Sequence, residues 1–202
     1  MTYPPLFTLD LEGVFTPEIW ITVAERSGIP ELRRTTRDEP DYDKLMRYRL
    51  DLLRRHGLTL HHIRQVIAGM DLLPGACDFL RWLQERGPVI ILSDTFYEFA
   101  TPLLAKLGYP TLFCNSLRTD SAGLITDYIL RLPDGKRQAV RALKDIHFRV
   151  IAIGDSYNDI TMLLEADHGI LFRPPPNVMA DYPQLPVTTG YPDLQKHIQS
   201  LL

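Results

Sequence analysis

Three apolar segments of this chain each end in carboxylates, and this shared feature restricts the possible folds more than any other. The segments read FTLDLEG, IILSDT and AIGDSYND. A continuous apolar run is typical of a strand that is buried on both faces of a parallel sheet. Because the carboxyl ends of parallel strands lie at one edge of the sheet, the pattern predicts that the three groups of acids meet there.

From residue 73 onward, the sequence alternates between strand patterns and helical patterns. The predicted strands are PPLFTLD at the start of the chain, then PVIILSDT, TLFCNSLRT, RVIAIGDS and GILF, with GLITDYILR as a hairpin partner of TLFCNSLRT. Amphipathic segments between them predict helices, and RPPPN predicts a rigid turn or loop. Such strand–helix repeats specify an α/β fold, with a doubly wound parallel sheet that is covered by helices on both faces.

Between the first strand and this alternating region lies a segment with helical spacing only. TPEIWITVAERSG, DYDKLMRYRLDLLRRHG and TLHHIRQVIAGM each predict a helix, and the first two end at glycine. We therefore predict two domains, a core of residues 1–15 and 73–202 and a small helical cap of residues 16–72.

The overall composition excludes several classes of protein. The chain has 202 residues, of which 45% are hydrophobic and 23% are charged, and this is typical of a globular protein rather than a disordered one. A formal net charge of −3 argues against a dedicated nucleic-acid binder. No apolar run predicts a signal peptide or a membrane span, and the two cysteines form no framework. These features predict a cytoplasmic protein.

The acids at the strand ends form the candidate functional site. Asp10 and Glu12 are two positions apart, so they would project from the same face of a strand. The predicted set comprises Asp10, Glu12, Ser93, Asp94, Asp155 and Asp159. Asp94 and Asp155 could instead cap the helices that follow them, because aspartate is favoured at that position. Capping does not explain the whole set.

Clustered carboxylates repel one another, and a divalent cation would remove that conflict. Mg²⁺ binds oxygen ligands in octahedral geometry, so it is the predicted cofactor. Lys136 stands at the start of a predicted helix, in DGKRQ. Together with the Ser93 hydroxyl and a backbone amide at a helix start, this lysine would complete a pocket for a phosphoryl group. The alternative is that Lys136 is a solvated surface residue.

The segments DLEGV, ILSDT, GK before a helix and IGDSYND resemble, in this order, the four motifs of the haloacid dehalogenase superfamily. The resemblance covers the whole chain and implies a phosphohydrolase. It implies that Asp10 attacks phosphorus to give an aspartyl phosphate. Glu12 would protonate the leaving oxygen and then activate water.

The same resemblance implies roles for the other predicted residues. Ser93 and the backbone at Asp94 would hold the phosphoryl oxygens, and Lys136 would neutralise them. Mg²⁺ would be bound by Asp10, the main-chain carbonyl of Glu12, and Asp155. Asp159 would support that metal site.

Within the superfamily, LDLEGV with PEIW, ILSDTFYEF and GDSYND resemble bacterial phosphoserine phosphatases that can also transfer the phosphoryl group to homoserine. The resemblance implies that Glu18 binds the substrate ammonium and Arg49 its carboxylate, with Asn158 near the phosphate. Two other interpretations stay open. Arg49 belongs to a run of arginines that is typical of a solvated helix face, and Glu18 could serve only the helix dipole.

The expected function is Mg²⁺-dependent hydrolysis of the small molecule O-phosphoserine. An alternative is a phosphatase for another small phosphorylated metabolite. A phosphate-sensing module is a third reading, although the helical insertion argues against it. The first strand is not followed by G-x-G-x-x-G, which argues against a dinucleotide site. The sequence leaves a monomer and a homodimer open.

Overall fold

The computed structural model describes residues 3–35, 38–39 and 41–202, and within them seven strands form one sheet. In chain order they are β1 (Pro5–Leu9), β2 (Val89–Phe96), β3 (Thr111–Thr119), β4 (Ile125–Ile129), β5 (Arg149–Gly154), β6 (His168–Phe172) and β7 (Val187–Thr188). The spatial order is β4-β3-β2-β1-β5-β6-β7. Neighbouring strands are parallel except in the β3–β4 hairpin. The predicted parallel sheet and its hairpin are confirmed.

The helices follow the predicted alternation. They are α1 (Ile19–Ser27), α2 (Tyr42–Arg55), α3 (Leu60–Ala68), α4 (Ala76–Gln84), α5 (Tyr97–Lys106), α6 (Gly135–Asp145), α7 (Ile160–Glu165), α8 (Pro176–Asp181) and α9 (Tyr191–Leu201). Two short 3-10 helices span Pro30–Arg33 and Tyr157–Asp159. None of these helices, within the described residues, is long and apolar enough to cross a membrane.

Two elements differ from the sequence-based expectation. The predicted loop RPPPN is wrong in its last two residues, because Pro176 and Asn177 begin α8. Proline is tolerated in the first turn of a helix, where its missing N–H would have no helical partner. The second element is β7, which has only two residues and is too short to produce a sequence pattern.

Strand β5 is buried on both faces of the sheet, which explains why apolar and polar residues do not alternate in its sequence. Ile151 and Ile153 pack on one face of the sheet in the cluster that includes α4 and α9. Val150 and Ala152 pack on the other face, in the cluster that includes α6 and α7. All four side chains are 0% exposed, so both faces of the strand are covered.

The predicted cap segment contains α1, α2, α3 and the first 3-10 helix. Its apolar side chains form a separate cluster, in which Val23, Leu53 and Ile67 pack with Phe99 of α5 and Leu117 of β3. Helix α1 ends where predicted, with Gly28 in the left-handed conformation at φ 70°. The division into core and cap domains stays a prediction.

Candidate active site

A cavity of about 260 Å³ lies at the carboxyl edge of the sheet, below the helices of the predicted cap. The predicted residues that line it are Asp10, Glu12, Glu18, Arg49, Ser93, Asp94, Lys136, Asp155 and Asn158. Asp159 does not line the cavity, but it is fully buried and its carboxylate contacts Lys136. The structure therefore brings the predicted set together from stretches of chain that are far apart in sequence.

A larger cavity of about 1070 Å³ adjoins this one and shares five lining residues with it, Tyr42, Ser93, Asp94, Lys136 and Asn158. Its remaining wall is mostly apolar and comes from β3, the segment after β4, and α6. Neither Asp10 nor Glu12 contributes to its lining. The smaller cavity is consequently the one with the chemical groups of an active site.

Lys136 is the central charge of this site, and it is not the solvated lysine of the alternative interpretation. It is only 5% exposed. The Nζ atom lies 2.7 Å from an oxygen of Asp159, 3.0 Å from one of Asp10 and 3.4 Å from one of Asp94. Burial alone would lower the pKa of this lysine, but the three carboxylates raise it well above its ordinary value. Lys136 is therefore a buried cation.

Asp10 follows the last residue of β1 and is 6% exposed. Its Oδ1 accepts the N–H of Leu11 at 2.8 Å and also lies 3.0 Å from Lys136 Nζ. Burial raises the pKa of Asp10 well above its ordinary value, despite the opposing effect of Lys136. The nearby carboxylates of Asp159 and Asp155 raise it further. The site thus holds more negative charge than one lysine neutralises.

The carboxylates of Asp10, Asp155 and Asp159 form a group that could hold a metal ion, with ligand atoms within 4.8 Å of one another. Burial, followed by the charge of Asp159, raises the pKa of Asp155 to about 7. A divalent cation at this position would remove the repulsion. The donor set is therefore chemically suited to a hard metal ion.

Asp159 is already bonded within the protein. One of its oxygens contacts Lys136, and the other accepts the N–H groups of Asp155 at 2.9 Å and Ser156 at 3.1 Å. A Cβ on Gly154 would lie 2.4 Å from the Cβ of Asp159, so glycine is required for this close approach. Ser156 rather than Asp155 occupies the capping position, which removes the capping interpretation of Asp155.

Gly13 leaves room for the Asp155 carboxylate, which lies against it. Its φ is +77°, and a Cβ at this position would lie 2.4 Å from the Asp155 carboxyl carbon. Glycine meets both requirements, since it adopts positive φ without strain and presents no side chain.

The segment from Ser93 to Thr95 lies inside β2, as the predicted strand PVIILSDT has it. Helix α5 begins at Tyr97 and Phe96 occupies its capping position, so Asp94 is not a capping residue. Ser93 is 6% exposed, and its hydroxyl oxygen accepts the Thr95 N–H at 3.2 Å. The Asp94 carboxylate turns to Lys136 instead, at 3.4 Å.

Glu12 lies on the side of the cavity nearest α1. Strand β1 ends at Leu9, so the expected alternation within a strand does not apply to Asp10 and Glu12, although both line the cavity. The Glu12 carboxylate accepts the N–H of Ile19 at 2.7 Å. Burial, followed by the charge of Glu18, raises the pKa of Glu12 to about 8. Glu12 can therefore hold a proton at neutral pH.

Arg49 is buried, which excludes a solvated face at this position, whereas Arg47, Arg54 and Arg55 are exposed. Its guanidinium lies 4.5 Å from the centre of the Trp20 ring and donates to the carbonyl of Arg34 at 2.7 Å. The Nε atom has no hydrogen-bond partner among the residues that the structure describes. Arg49 is thus a buried cation with unused donor capacity beside the cavity.

Glu18 and Asn158 lie at the exposed rim of the cavity. Glu18 occupies the capping position of α1, one residue before the predicted first turn, and its side chain makes no capping bond. Its carboxylate is close enough to raise the pKa of Glu12. Asn158 belongs to the 3-10 helix Tyr157–Asp159 and lines both cavities.

Sequence reasoning missed several residues at the site, and three of them matter most. Trp20 and Tyr42 line the cavity from α1 and α2, and Asn115 contacts the Asp94 carbonyl from β3. The two aromatic residues resemble ordinary core positions of amphipathic helices. Asn115 carried a usable signal, because a polar amide inside the apolar segment TLFCNSL is expected to be hydrogen-bonded when buried.

Comparison with known proteins gives a consistent result. Residues 6–167 match the haloacid dehalogenase-like hydrolase family. The chain is 55% identical over 188 residues to phosphoserine phosphatase ThrH of Pseudomonas aeruginosa, covering 93% of this chain and 92% of that protein. It is also 55% identical to a phosphoserine phosphatase of Pseudomonas syringae pv. tomato, covering 93% of this chain and 79% of that one.

Two solved structures share the fold. A substrate-bound phosphoserine phosphatase complex matches with a TM-score of 0.77 and 20% identity, covering 98% of each chain. A phospho-aspartyl intermediate analogue of phosphoserine phosphatase matches with a TM-score of 0.76 and 20% identity, covering 97% of this chain and 98% of that one. The likeness confirms the predicted α/β architecture.

Proposed function

The chain belongs to the haloacid dehalogenase-like hydrolases, and from this premise we propose that it is a phosphoric monoester hydrolase that converts O-phosphoserine to serine and phosphate. Its similarity over most of its length to two proteins named phosphoserine phosphatase supports this substrate. The observation that carries the proposal is the arrangement around one cavity. The cavity is lined by Lys136 and Ser93, which are suited to a phosphoryl group, and by Arg49 and Glu18, which are suited to the carboxylate and the ammonium of an amino acid.

In the proposed reaction, Asp10 attacks phosphorus and an aspartyl phosphate forms. Oδ1 of Asp10 is held by Lys136 and by the Leu11 N–H, so Oδ2 is the oxygen that we assign to the attack. Lys136 also balances charge on the phosphoryl oxygens. The Ser93 hydroxyl oxygen accepts the Thr95 N–H, and its proton is available to donate to one of these phosphoryl oxygens.

Glu12 is the proposed general acid and base. Its raised pKa, about 8, keeps a proton available for the leaving serine oxygen. Once that proton is given up, the same carboxylate can take one from the water that hydrolyses the aspartyl phosphate. The bond from Ile19 N–H to Oε2 holds the side chain, and leaves Oε1 as the oxygen that carries the proton.

Asp10, Asp155 and the main-chain carbonyl of Glu12 are the proposed ligands of Mg²⁺. Asp159 would act through the Asp155 and Ser156 amides, to which it is already bonded. When bound, the metal ion would neutralise carboxylate and phosphoryl charge and so assist attack by an anion.

Glu18 and Arg49 are the proposed contacts for the ammonium and the carboxylate of the substrate. A buried arginine can bind a carboxylate through two parallel hydrogen bonds. The Nε atom of Arg49 has no partner within the described part of the chain, so a substrate carboxylate could supply one. Asn158, at the rim, is proposed to lie near the phosphate.

Matched substrates test this assignment. We expect phosphoserine to be hydrolysed with Mg²⁺ and not with EDTA. O-phosphoethanolamine lacks the carboxylate and 3-phosphooxypropanoate lacks the ammonium, so both should be much poorer substrates. Equal rates for all three would instead favour another small phosphorylated metabolite. Transfer to homoserine, a cytoplasmic location, and a homodimer that binds neither nucleic acid nor membrane belong to the same proposal, and each needs its own measurement.

A further inference from the structure

The segment Ser93–Thr95 departs from the regular ladder between β2 and β3. Leu92 pairs with Phe113 and the pairing resumes at Phe96 with Asn115, so β2 has three residues where β3 has one. Bulges of this kind redirect backbone and side-chain groups beside active sites. The peptide groups of the bulge therefore need partners other than regular ladder contacts.

The side chain of Asn115 provides one of these partners. Its Nδ2 donates to the carbonyl of Asp94 at 3.0 Å, and its Oδ1 accepts the N–H of Arg131 at 3.0 Å. A backbone carbonyl can only accept and a backbone N–H can only donate, so these two contacts fix which way the amide is turned. Asn115 is 6% exposed, which makes the loss of either bond costly.

The bond to Asp94 has an effect on the other side of the same peptide group. The carbonyl of Asp94 and the N–H of Thr95 belong to one planar trans peptide and point in opposite directions. Holding the carbonyl toward Asn115 directs the N–H toward Ser93, whose Oγ accepts it at 3.2 Å. With one lone pair of Oγ held by this N–H, the hydroxyl proton lies away from Thr95, where it can be donated to another acceptor.

We propose that Asn115 is a positioning residue for phosphoryl transfer, acting through the Asp94–Thr95 peptide to turn the Ser93 hydroxyl toward the phosphoryl group. This inference rests on the proposed role of Ser93. Tyr42 supports the same carbonyl more weakly, because its hydroxyl donates to it at 3.3 Å. Asn115 itself contacts neither substrate nor metal in this mechanism.

A double-mutant cycle tests the proposal. Asn115→Ala should lower kcat/KM about tenfold, the effect expected when one hydrogen bond is lost. In a Ser93→Ala background, the same change should lower kcat/KM by less than about twofold, because the hydroxyl that it orients is gone. Independent, multiplicative losses would overturn the proposal, and so would unchanged kinetics in a folded Asn115→Ala protein.

Two further variants separate positioning from damage to the strand. Asn115→Asp is isosteric and keeps an oxygen for the Arg131 N–H, but it cannot donate to Asp94 when ionised, so we expect it to show the same coupling to Ser93. Repulsion between a new charge and phosphate would persist without the hydroxyl, and would not show that coupling. Cys114→Ala, at the buried neighbour on the other face of β3, should keep normal kinetics even if the melting temperature falls.

The cycle is read on two observables. The first is kcat/KM for an aryl phosphate, which does not require that phosphoserine be the natural substrate. The second is the dissociation constant of inorganic phosphate by calorimetry, which requires no turnover. Coupling between Asn115 and Ser93 in phosphate binding would support the inference even if phosphoserine were not hydrolysed. Its absence from both observables in folded variants would refute the inference while leaving the proposed reaction in place.

Discussion

The two ends of the cavity are built on different principles. At one end, Lys136 and Asp159 are buried and bonded to groups that the chain itself supplies. At the other end, Glu12 and Glu18 lie close together, and the Nε of buried Arg49 has no partner in the described residues. The first end comes from the strand ends and α6, whereas Glu18 and Arg49 come from the helical segment.

On the proposed assignments, the first end serves the phosphoryl group and the second end selects the rest of the substrate, with Glu12 as a catalytic group at the second end. A phosphoryl group is the same in every monoester, so a rigid site with satisfied hydrogen bonds suits it. Groups with unused hydrogen-bonding capacity favour only ligands that complete them, because a buried donor without a partner is unfavourable. We therefore expect changes at Asp10 to affect all substrates and changes at Arg49 to affect amino-acid substrates most.

The largest effect is expected at the end of the cavity around Lys136. Asp10→Asn should lower kcat by about a thousandfold or more for every phosphate ester, because an amide is a far poorer nucleophile than a carboxylate. Binding of phosphoserine should survive, which calorimetry can verify. Mass spectrometry must exclude deamidation back to aspartate. Near-normal turnover in a verified Asp10→Asn protein would remove Asp10 as the nucleophile.

Glu12→Gln should come next, with turnover of phosphoserine reduced by about 10²–10⁴-fold. An aryl phosphate has a good leaving group, so it should still form the aspartyl phosphate, which would then accumulate because no base activates water. Intact-protein mass spectrometry after rapid quenching detects the added phosphoryl group. Rapid hydrolysis of that adduct would show that Glu12 is not the base.

Arg49→Ala tests the end of the cavity that we expect to select amino-acid substrates. Loss of a charged contact to the carboxylate should lower kcat/KM for phosphoserine. The activation free energy for this substrate should rise by on the order of 2–5 kcal/mol. The loss for an aryl phosphate should be much smaller, and the comparison between substrates corrects for any general disturbance. Arg54→Ala is a matched control on the same helix, since that side chain is 74% exposed and pairs with Asp51. Equal losses on both substrates would assign Arg49 to folding or phosphate binding.

A pH profile tests the role of Glu12 without mutation. Glu12 is protonated below its raised pKa of about 8 and loses its proton above it. Formation of the aspartyl phosphate from phosphoserine should therefore fall about tenfold per pH unit above this pH. With an aryl phosphate, which needs no general acid, rapid-quench measurements should give a flatter profile. Parallel profiles for the two substrates would contradict this role.

Glu12→Asp should have the smallest effect on rate and a specific effect on products. The shorter side chain withdraws the carboxylate by about 1.5 Å, a single carbon–carbon bond, so it should lose contact with the Ile19 N–H. We hypothesise that the longer side chain of Glu12 affects how the aspartyl phosphate partitions between water and homoserine. The ratio of homoserine phosphate to free phosphate measures this, and an unchanged ratio in Glu12→Asp would refute it.

The convergence of the acids could be predicted because it follows from topology. Once three strands are parallel, their carboxyl ends meet regardless of how far apart Asp10, Asp94 and Asp155 lie in the chain. The environment of Arg49 could not be predicted in this way. Four arginines occur between residues 47 and 55, and only packing against Trp20 distinguishes the buried one.

The bulge in β2 was equally beyond prediction, because it depends on pairing with β3. The sequence ILSDTF reads as a plain strand end, and the extra residues become apparent only from the pairing of Phe96 with Asn115. Short elements such as α8 were missed because local proline content outweighed a helix of only six residues. Local structure that depends on contact with a segment distant in the chain cannot be read from the local sequence.

The hydrogen bond between Glu12 and Ile19 has a practical consequence for recombining parts of related enzymes. Glu12 belongs to the predicted core by its place in the chain, yet its carboxylate is anchored to the first residue of α1. A chimera joined after residue 15 would pair this carboxylate with a foreign helix and leave its orientation to chance. A junction placed between Asp10 and Glu12 would keep the nucleophile with its lysine and transfer the acid together with the helix that holds it.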